Sequence, residues 1–207
     1  MDPEYFDRIY STSSDPWGFT TRWYERRKVA LTMAILPQER FGSCFEPGCS
    51  IGVLTAELAQ RCDRVVATDI ADAALARAQS RLSATGIGNV EMRHWALGAS
   101  WPDEMYDLVV LSEVGYYLEP GSARRAIDCA AQHLHPDGAL LAAHWRHPVA
   151  EYPSTGDDFH ALLNSTRGME RASRYIDEDV VIDLLRPSGT RSVAEQEGLV
   201  TPADQVL

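Results

Sequence analysis

The residues best suited to chemistry stand in a glycine-containing loop and at an acid that follows it. The loop reads Glu46-Pro47-Gly48-Cys49-Ser50-Ile51-Gly52 and lies between a short apolar stretch and a helix-like run. Gly48 and Gly52 permit backbone angles that other residues avoid, and neither has a side chain to obstruct a ligand. A second apolar run ends at Asp69, where a carboxylate can hydrogen-bond a ribose diol. Together the loop and the acid predict a nucleoside cofactor, and therefore an enzyme.

The spacing within the loop bears on which nucleoside is bound. Dinucleotide-binding loops carry G-x-G-x-x-G, whereas Ser50 stands here where a middle glycine is expected. Glu46 fits a ligand with a cationic amine better than one with a pyrophosphate. Three other interpretations stay open: a tight strand-to-helix turn without a ligand, an NAD-dependent oxidoreductase, and a non-catalytic nucleoside-binding protein.

Composition predicts one domain over residues 1–186, with residues 1–37 as an arm and helix that form a lid, and an irregular or disordered tail at 187–207. The formal net charge of −11 argues against a nonspecific grip on nucleic acid and against docking on an anionic membrane. No apolar run approaches the roughly 20 residues that cross a bilayer. The four cysteines form no CxxC pair, which predicts reduced thiols, no metal site and a cytoplasmic protein. A monomer or weak dimer is expected.

Apolar runs alternate with helix-like segments along the chain. This alternation predicts an α/β fold: a doubly wound Rossmann-like sheet, mostly parallel with an antiparallel C-terminal hairpin, and helices on both faces. The predicted strands are Ser43–Glu46, Arg64–Thr68, Val90–Trp95, Tyr106–Glu113 and Ala139–Trp145, followed by a hairpin of Arg171–Ile176 and Asp179–Leu185. The predicted helices are Arg22–Leu36, Ile51–Cys62, Ala73–Ala84, Gly121–Leu134 and Asp157–Thr166, with a turn at His135–Gly138.

Two sets of motifs resemble known families. E-P-G-C-S-I-G, V-V-A-T-D-I and the run Tyr106–Glu113 resemble motifs of class I S-adenosylmethionine-dependent methyltransferases, over roughly residues 40–145. A narrower set resembles the NodS-type nodulation N-methyltransferases, which methylate the free amine of a deacetylated chitooligosaccharide. That set comprises Asp15-Pro16-Trp17, Tyr24-Glu25-x-x-Lys28, Ser112–Leu118 and His144-Trp145-Arg146.

The resemblance implies S-adenosyl-L-methionine as the cofactor and a role for each matching residue. Glu46 and Gly48 would face the methionine part, Asp69 would bind the ribose hydroxyls, and Ile70 would pack on the adenine. Lys28 would pair with the cofactor carboxylate or only with its neighbour Glu25. The full set of implied cofactor-binding residues is Trp17, Tyr24, Lys28, Glu46, Gly48, Cys49, Gly52, Asp69, Ile70, Trp95, Ala96 and Glu113.

Three residues are predicted to act on the acceptor. An amine must lose a proton before it can attack a methyl group, so a general base would help. Glu113 would orient the acceptor or take its proton, and His144 is either a base or a hydrogen-bonded histidine at a strand end. Tyr117 would line the acceptor pocket, with one of the pair Tyr116 and Tyr117 in the core. The expected acceptor is the amine of an amino sugar or oligosaccharide, and another small nitrogen or oxygen acceptor is the alternative.

Overall fold

The computed structural model describes residues 3–200 and builds them around a seven-stranded sheet. The strands are β1 (Phe41–Pro47), β2 (Cys62–Asp69), β3 (Val90–His94), β4 (Tyr106–Ser112), β5 (Leu134–Trp145), β6 (Met169–Ile176) and β7 (Val180–Pro187). The helices are α1 (Pro3–Thr12), α2 (Trp23–Ala34), α3 (Val53–Arg61), α4 (Asp72–Ala84), α5 (Pro120–Gln132), α6 (Gly156–Leu163) and α7 (Val193–Gln196).

The strand order is β3-β2-β1-β4-β5-β7-β6. Strands β1 to β5 pair in parallel, and β7 pairs antiparallel with both β5 and β6. This arrangement confirms the predicted fold class. The order in which successive strands are added to the sheet reverses between β1 and β4. Open α/β sheets bind ligands at such a switch point.

Each face of the sheet is covered by helices because the central strands are apolar on both sides. Cys44 and Phe45 are adjacent in β1 and fully buried in different apolar clusters. On one face Ile127 of α5 and Phe159 of α6 join the cluster of Phe45. On the other face Leu58 of α3 packs in the cluster of Cys44. Burying each such side chain stabilises the fold by about 1.5–3 kcal/mol.

The arm contains the regular helix α1, because Phe6 and Tyr10, four residues apart, bury one face of it beside Ala74 of α4. Two other segments differ from the sequence-based expectation. The turn predicted at His135–Gly138 is an irregularity inside β5, where the pairing with β4 shifts register.

The tail also differs from the expectation as far as it is described. Ser192 and Glu195 form a capping box that starts the one-turn helix α7, so residues 193–196 are regular. Residues 201–207, which belong to the predicted irregular tail, lie outside the described residues.

Candidate functional site

A cavity of about 490 Å³ lies at the carboxyl ends of β1, β2, β4 and β5. Its volume falls within the range of about 300–1,000 Å³ that is usual for small-molecule sites. Aromatic side chains are the largest group among the residues that line it. The aromatic lining residues are Phe6, Tyr10, Trp17, Phe19, Tyr24, Trp95, Tyr116, Tyr117, Trp145 and Tyr152.

The glycine loop lies against the end of β2. The backbone N–H groups of Gly48 and Cys49 both donate to the carbonyl oxygen of Thr68, at 2.7 and 2.8 Å. Gly48 has a φ of 74°, and a Cβ on it would overlap the side chain of Val114. A side chain at position 48 would therefore both strain the turn and displace the cavity wall.

Three loop residues predicted to touch the cofactor, Gly52, Cys49 and Glu46, do not line the main cavity. Gly52 has a φ of 75° at the start of α3, and a Cβ on it would stand 2.9 Å from the Cβ of Ala78. Its lack of a side chain thus serves the close packing of the loop on α4. Cys49 is buried and lines only a smaller cavity next to the main one.

Asp69 lies on the cavity wall and is tied to the loop. One carboxylate oxygen accepts from the N–H of Ser50 at 2.8 Å, and the other accepts from the N–H of Ala71 at 2.9 Å. Burial raises the pKa of Asp69, and these backbone donors oppose the rise. Ile70, Trp95 and Ala96 line the same cavity, so the residues predicted for ribose and adenine are brought together.

Glu46 is separated from the main cavity. It is 3% exposed and lines the smaller cavity beside Gly48, Lys28 and Glu113. Among the described residues no hydrogen-bond partner reaches its Oε2. Burial raises the pKa of Glu46 to about 8, and the nearby charge of Asp69 adds to the rise.

Lys28 links the arm to the sheet. Its Nζ lies 2.8 Å from a carboxylate oxygen of Glu25 and 2.5 Å from one of Glu113. Burial alone would lower the pKa of Lys28, but the two carboxylates raise it above its ordinary value. Lys28 lies on the walls of both cavities. Lys28 therefore does not pair only with Glu25, because Glu113 is a second internal partner. Its pairing with the cofactor carboxylate stays a prediction.

Glu113 follows β4 and faces the main cavity. Its φ of 56° is in the left-handed region, which is uncommon for a residue with a side chain and concentrates at functional sites. Besides Lys28, its carboxylate accepts from the hydroxyl of Tyr116 and from the N–H of Trp145 at 3.1 Å. These donors hold the carboxylate in one orientation.

A cluster of tyrosines forms the wall next to Glu113. The hydroxyls of Tyr117 and Tyr152 are 3.0 Å apart, and the rings of Tyr116 and Tyr152 stack with their centroids 5.2 Å apart. Both Tyr116 and Tyr117 line the cavity, as the sequence predicts for Tyr117. Burial raises the pKa of Tyr117 well above its ordinary value, so its hydroxyl stays protonated near neutral pH.

The environment of His144 does not fit a general base. The side chain is fully buried and does not line the cavity. Its Nε2 accepts from the N–H of Gly115 at 2.9 Å, and its Nδ1 is 3.1 Å from Nε2 of His160. Burial, with the neighbouring His160 and Lys28, lowers the pKa of His144 well below its ordinary value. Of the two roles left open by the sequence, the geometry matches the hydrogen-bonded histidine.

The arm contributes both expected and unexpected residues. Trp17 and Tyr24 line the cavity, where Tyr24 meets the ring of Trp145 edge-on at 5.0 Å. The sequence reasoning missed Tyr10, whose hydroxyl is 2.5 Å from the hydroxyl of Ser50 in the glycine loop. It also missed Tyr152. For Tyr10 the signal was present, since aromatic residues four apart indicate a packed helix face; Tyr152 carries no such local signal.

The comparison with known families decides the membership of the chain. A family model described as nodulation protein S (NodS) matches residues 8–161, most of the chain. The chain belongs to the NodS family. This confirms the resemblance inferred from the sequence motifs.

Several nodulation S proteins are similar to the chain. The protein of Sinorhizobium fredii is 28% identical over 134 residues, covering 62% of this chain and 60% of its own length. The protein of Rhizobium tropici is matched over 54% of its length, so the chain spans less than two thirds of these two relatives. The protein of Bradyrhizobium diazoefficiens is 26% identical over 185 residues, covering 84% of this chain and 88% of its own.

Solved structures have the same fold. A Pseudomonas syringae protein assigned to the methyltransferases is 42% identical, with a TM-score of 0.69 over 79% of this chain and 98% of its own. The N-methyltransferase NodS of Bradyrhizobium japonicum, solved with S-adenosyl-L-homocysteine, has a TM-score of 0.80 at 23% identity, over 89% and 97% of the two chains. The second likeness establishes the Rossmann-like fold.

Proposed function

We propose that the protein is an S-adenosylmethionine-dependent methyltransferase of the NodS type that methylates the free amine of a small acceptor. The leading acceptor is a deacetylated amino sugar or chitooligosaccharide. The observation that carries the proposal is one cavity whose wall contains both Asp69 with Trp95 and Glu113 with Tyr117. A nucleoside and an acceptor bound along this wall would share one enclosed space.

The residues of the cavity fit the cofactor. Asp69 would bind the ribose hydroxyls, Ile70 and Trp95 would pack on the adenine, and the bare backbone of Gly48 would permit a close approach. The buried Oε2 of Glu46, which lacks a partner among the described residues, suits the ammonium group of the methionine part. When bound, the cofactor supplies an electrophilic methyl group on a cationic sulfur.

The arm supports closure over such a ligand. Tyr10 of α1 contacts Ser50 in the loop, and Lys28 of α2 bridges to Glu113 at the end of β4. We propose that these two helices form the lid predicted for residues 1–37. A lid of aromatic side chains would exclude water and hold the reacting groups in line, which accounts for much of the rate of a displacement. Aromatic faces also stabilise a cationic sulfur.

Glu113 is the best placed group for the amine. An ionised carboxylate has about four acceptor positions. Lys28, Tyr116 and the N–H of Trp145 occupy three of them, so one is left to face the cavity. We propose that this position accepts a hydrogen bond from the acceptor amine and takes its proton. With His144 withdrawn from that role, Glu113 is the proposed general base.

The charge around the cavity favours a cation over an anion. Four acids line it, namely Glu25, Asp69, Glu113 and Asp179, against the two bases Arg22 and Lys28. An excess of negative charge raises the local concentration of a cationic amine. The name of the Bradyrhizobium japonicum structure, an N-methyltransferase, supports nitrogen rather than oxygen as the acceptor atom.

Location and assembly stay predictions. Every helix within residues 3–200 is too short or too polar to cross a membrane. We propose a cytoplasmic location from the cysteine pattern of the sequence, and a monomer or weak dimer remains the expectation.

Two measurements test the proposed function. Calorimetry with S-adenosylhomocysteine and with NAD tests the cofactor, and we expect binding of the first alone. Methyl transfer is then compared between a deacetylated and a fully N-acetylated chitooligosaccharide of the same length, and only the deacetylated sugar should be methylated. Preferential binding of NAD would overturn the cofactor, and methylation of the acetylated sugar would overturn the amine acceptor. Binding without transfer to any amine would instead favour a non-catalytic nucleoside-binding protein.

A further inference from the structure

Three buried polar side chains form a hydrogen-bonded row behind the tyrosine wall of the cavity. Nε2 of His144 is 2.9 Å from the backbone nitrogen of Gly115, and Nδ1 of His144 is 3.1 Å from Nε2 of His160. Nδ1 of His160 is 2.7 Å from Oδ2 of Asp183. All three side chains are at most 1% exposed. The row thus runs from the turn after β4, through β5 and α6, to β7.

The backbone N–H at one end of the row determines which nitrogen of each histidine ring is protonated. The N–H of Gly115 can only donate, so Nε2 of His144 must be the unprotonated nitrogen. The proton of a neutral His144 is then on Nδ1 and is donated to His160. Nε2 of His160 must accept it, which leaves the proton of His160 on Nδ1, facing Asp183. Both histidines are therefore neutral and carry the proton on Nδ1, with each donor matched to an acceptor.

The far end of the row is anchored by charge. Oδ2 of Asp183 also accepts from the side-chain amide of Asn164 at 2.8 Å. Oδ1 of Asp183 lies 3.6 Å from Nε of Arg174 and 3.9 Å from Nε of Arg171. Burial alone would raise the pKa of Asp183, but the bonds from His160 and Asn164, with the charge of Arg174, lower it overall. Asp183 lies beyond the residues 8–161 that match the family model.

The near end of the row controls the turn that carries the tyrosines. Gly115 starts the 3-10 turn Gly115–Tyr117, and a Cβ on it would overlap the ring of Phe159. Phe159 also packs on His144 with ring centroids 4.6 Å apart, and Tyr116 meets His144 edge-on at 5.5 Å. Movement of His144 would therefore shift Gly115, and with it the side chains of the turn.

We propose that His144, His160 and Asp183 form a row of neutral-histidine hydrogen bonds that positions the Gly115–Tyr117 turn, and with it the acceptor wall. His144 and His160 are then positioning residues. The row itself does not depend on the proposed function. Its kinetic consequence does, because it assumes that Tyr116 and Tyr117 contact the acceptor.

Two substitutions of His144 separate positioning from proton transfer. In His144→Gln the side-chain oxygen can occupy the position of Nε2 and accept from the N–H of Gly115. In His144→Asn the shorter side chain can replace only Nδ1, which faces His160. We expect His144→Asn to raise the acceptor KM about tenfold, as for one lost hydrogen bond. His144→Gln should stay within about threefold of the wild type. Calorimetric binding of S-adenosylhomocysteine should be unchanged in both variants.

The base hypothesis predicts a different outcome. Neither amide can take a proton near neutral pH, so both variants would lose kcat to the same extent and would lose the same limb of the pH–rate profile. Equal loss in the two variants would overturn the positioning role.

Nitrogen-15 NMR of the histidine rings tests the row without substrate, cofactor or turnover. In the wild-type protein near neutral pH we expect His144 and His160 to carry a proton on Nδ1 and none on Nε2. Their signals are assigned by their loss in His144→Gln and His160→Gln, or by through-bond correlation to the backbone if a variant fails to fold. The charged groups around the row are Lys28 near His144, and Arg171, Arg174 and Asp183 around His160. A charged ring or a proton on Nε2 at either position would overturn the inference, whereas failure to methylate any amine would affect only the proposed function.

Discussion

Glu46 and Asp69 are buried carboxyls at the two sides of the glycine loop, and they differ in their hydrogen-bond partners. Asp69 receives two backbone N–H groups, which favour its ionised form. Glu46 has an oxygen without a partner among the described residues and a pKa raised to about 8. At neutral pH the two residues therefore offer different chemistry to a ligand. Asp69 is a hydrogen-bond acceptor held in one orientation, whereas Glu46 carries a proton that a cationic ligand would displace.

We expect Asp69→Asn to weaken binding of S-adenosylhomocysteine. The amide has one acceptor oxygen where the carboxylate has two, and it loses the charge that strengthens the bond to a ribose hydroxyl. The loss should be about 1.5–3 kcal/mol, measured as Kd by calorimetry. Asp72→Asn is the control, because Asp72 is exposed and does not line the cavity. An unchanged Kd in a folded Asp69→Asn protein would contradict the ribose role.

Glu46 predicts an unusual dependence of stability on pH. Its folded pKa of about 8 is above the value of 4.5 for a free side chain, so the folded protein holds the proton more tightly. The stabilising contribution of that proton is present below about pH 4.5 and is lost as the pH rises toward 8, by on the order of a few kcal/mol. Glu46→Gln removes this ionisation and should flatten the fall in Tm between about pH 5 and 8. The exposed Glu57→Gln is the control, and an equal slope in wild type and Glu46→Gln would refute the assignment.

At the scale of elements, the contact between the loop and α4 depends on Gly52. A Cβ there would stand 2.9 Å from the Cβ of Ala78 and 3.1 Å from its Cα, at a positive φ. We expect Gly52→Ala to lower the free energy of unfolding by about 1–2 kcal/mol for the backbone and a further 1–3 kcal/mol for overpacking.

Gly86 provides the matched control for this prediction. It has a φ of 72°, with nothing within 4 Å of its Cβ position, so Gly86→Ala should show the backbone cost alone. Urea unfolding of both variants measures the difference. Equal destabilisation would mean that Gly52 has no packing role.

The elements show what the sequence could predict and what it could not. Tyr106–Ser112 was recognisable as a central strand because a strand buried on both faces is almost wholly apolar. The register shift in β5 was not, because Pro136 and Gly138 have the composition of a turn. Only the pairing of Leu134 and Ala139, on either side of them, with β4 keeps this segment in the strand. The full extent of helix α1 could not be predicted for a similar reason, since its stability comes from packing on α4.

At the scale of the whole molecule, the sequence located the site but not its internal connections. The loop, Asp69 and Glu113 follow from their positions at strand ends. The bridge between Lys28 and Glu113 joins distant parts of the chain, and no local pattern indicates it. The burial of His144 likewise depends on α6, which packs over β5, and on β7, which pairs with β5 in the sheet. A histidine at the end of a strand therefore leaves two roles open in the sequence, and in the fold His144 is a buried hydrogen-bonding residue.

Transfer of a labelled methyl group tests the central claim most directly. The protein is incubated with S-adenosylmethionine carrying a trideuteromethyl group and with a deacetylated chitooligosaccharide, and the sugar is analysed by mass spectrometry. The account predicts one trideuteromethyl group on the amine nitrogen, and strong loss of product in Glu113→Gln even at saturating cofactor. An unlabelled amine at saturating cofactor, or label on a hydroxyl oxygen, would contradict it.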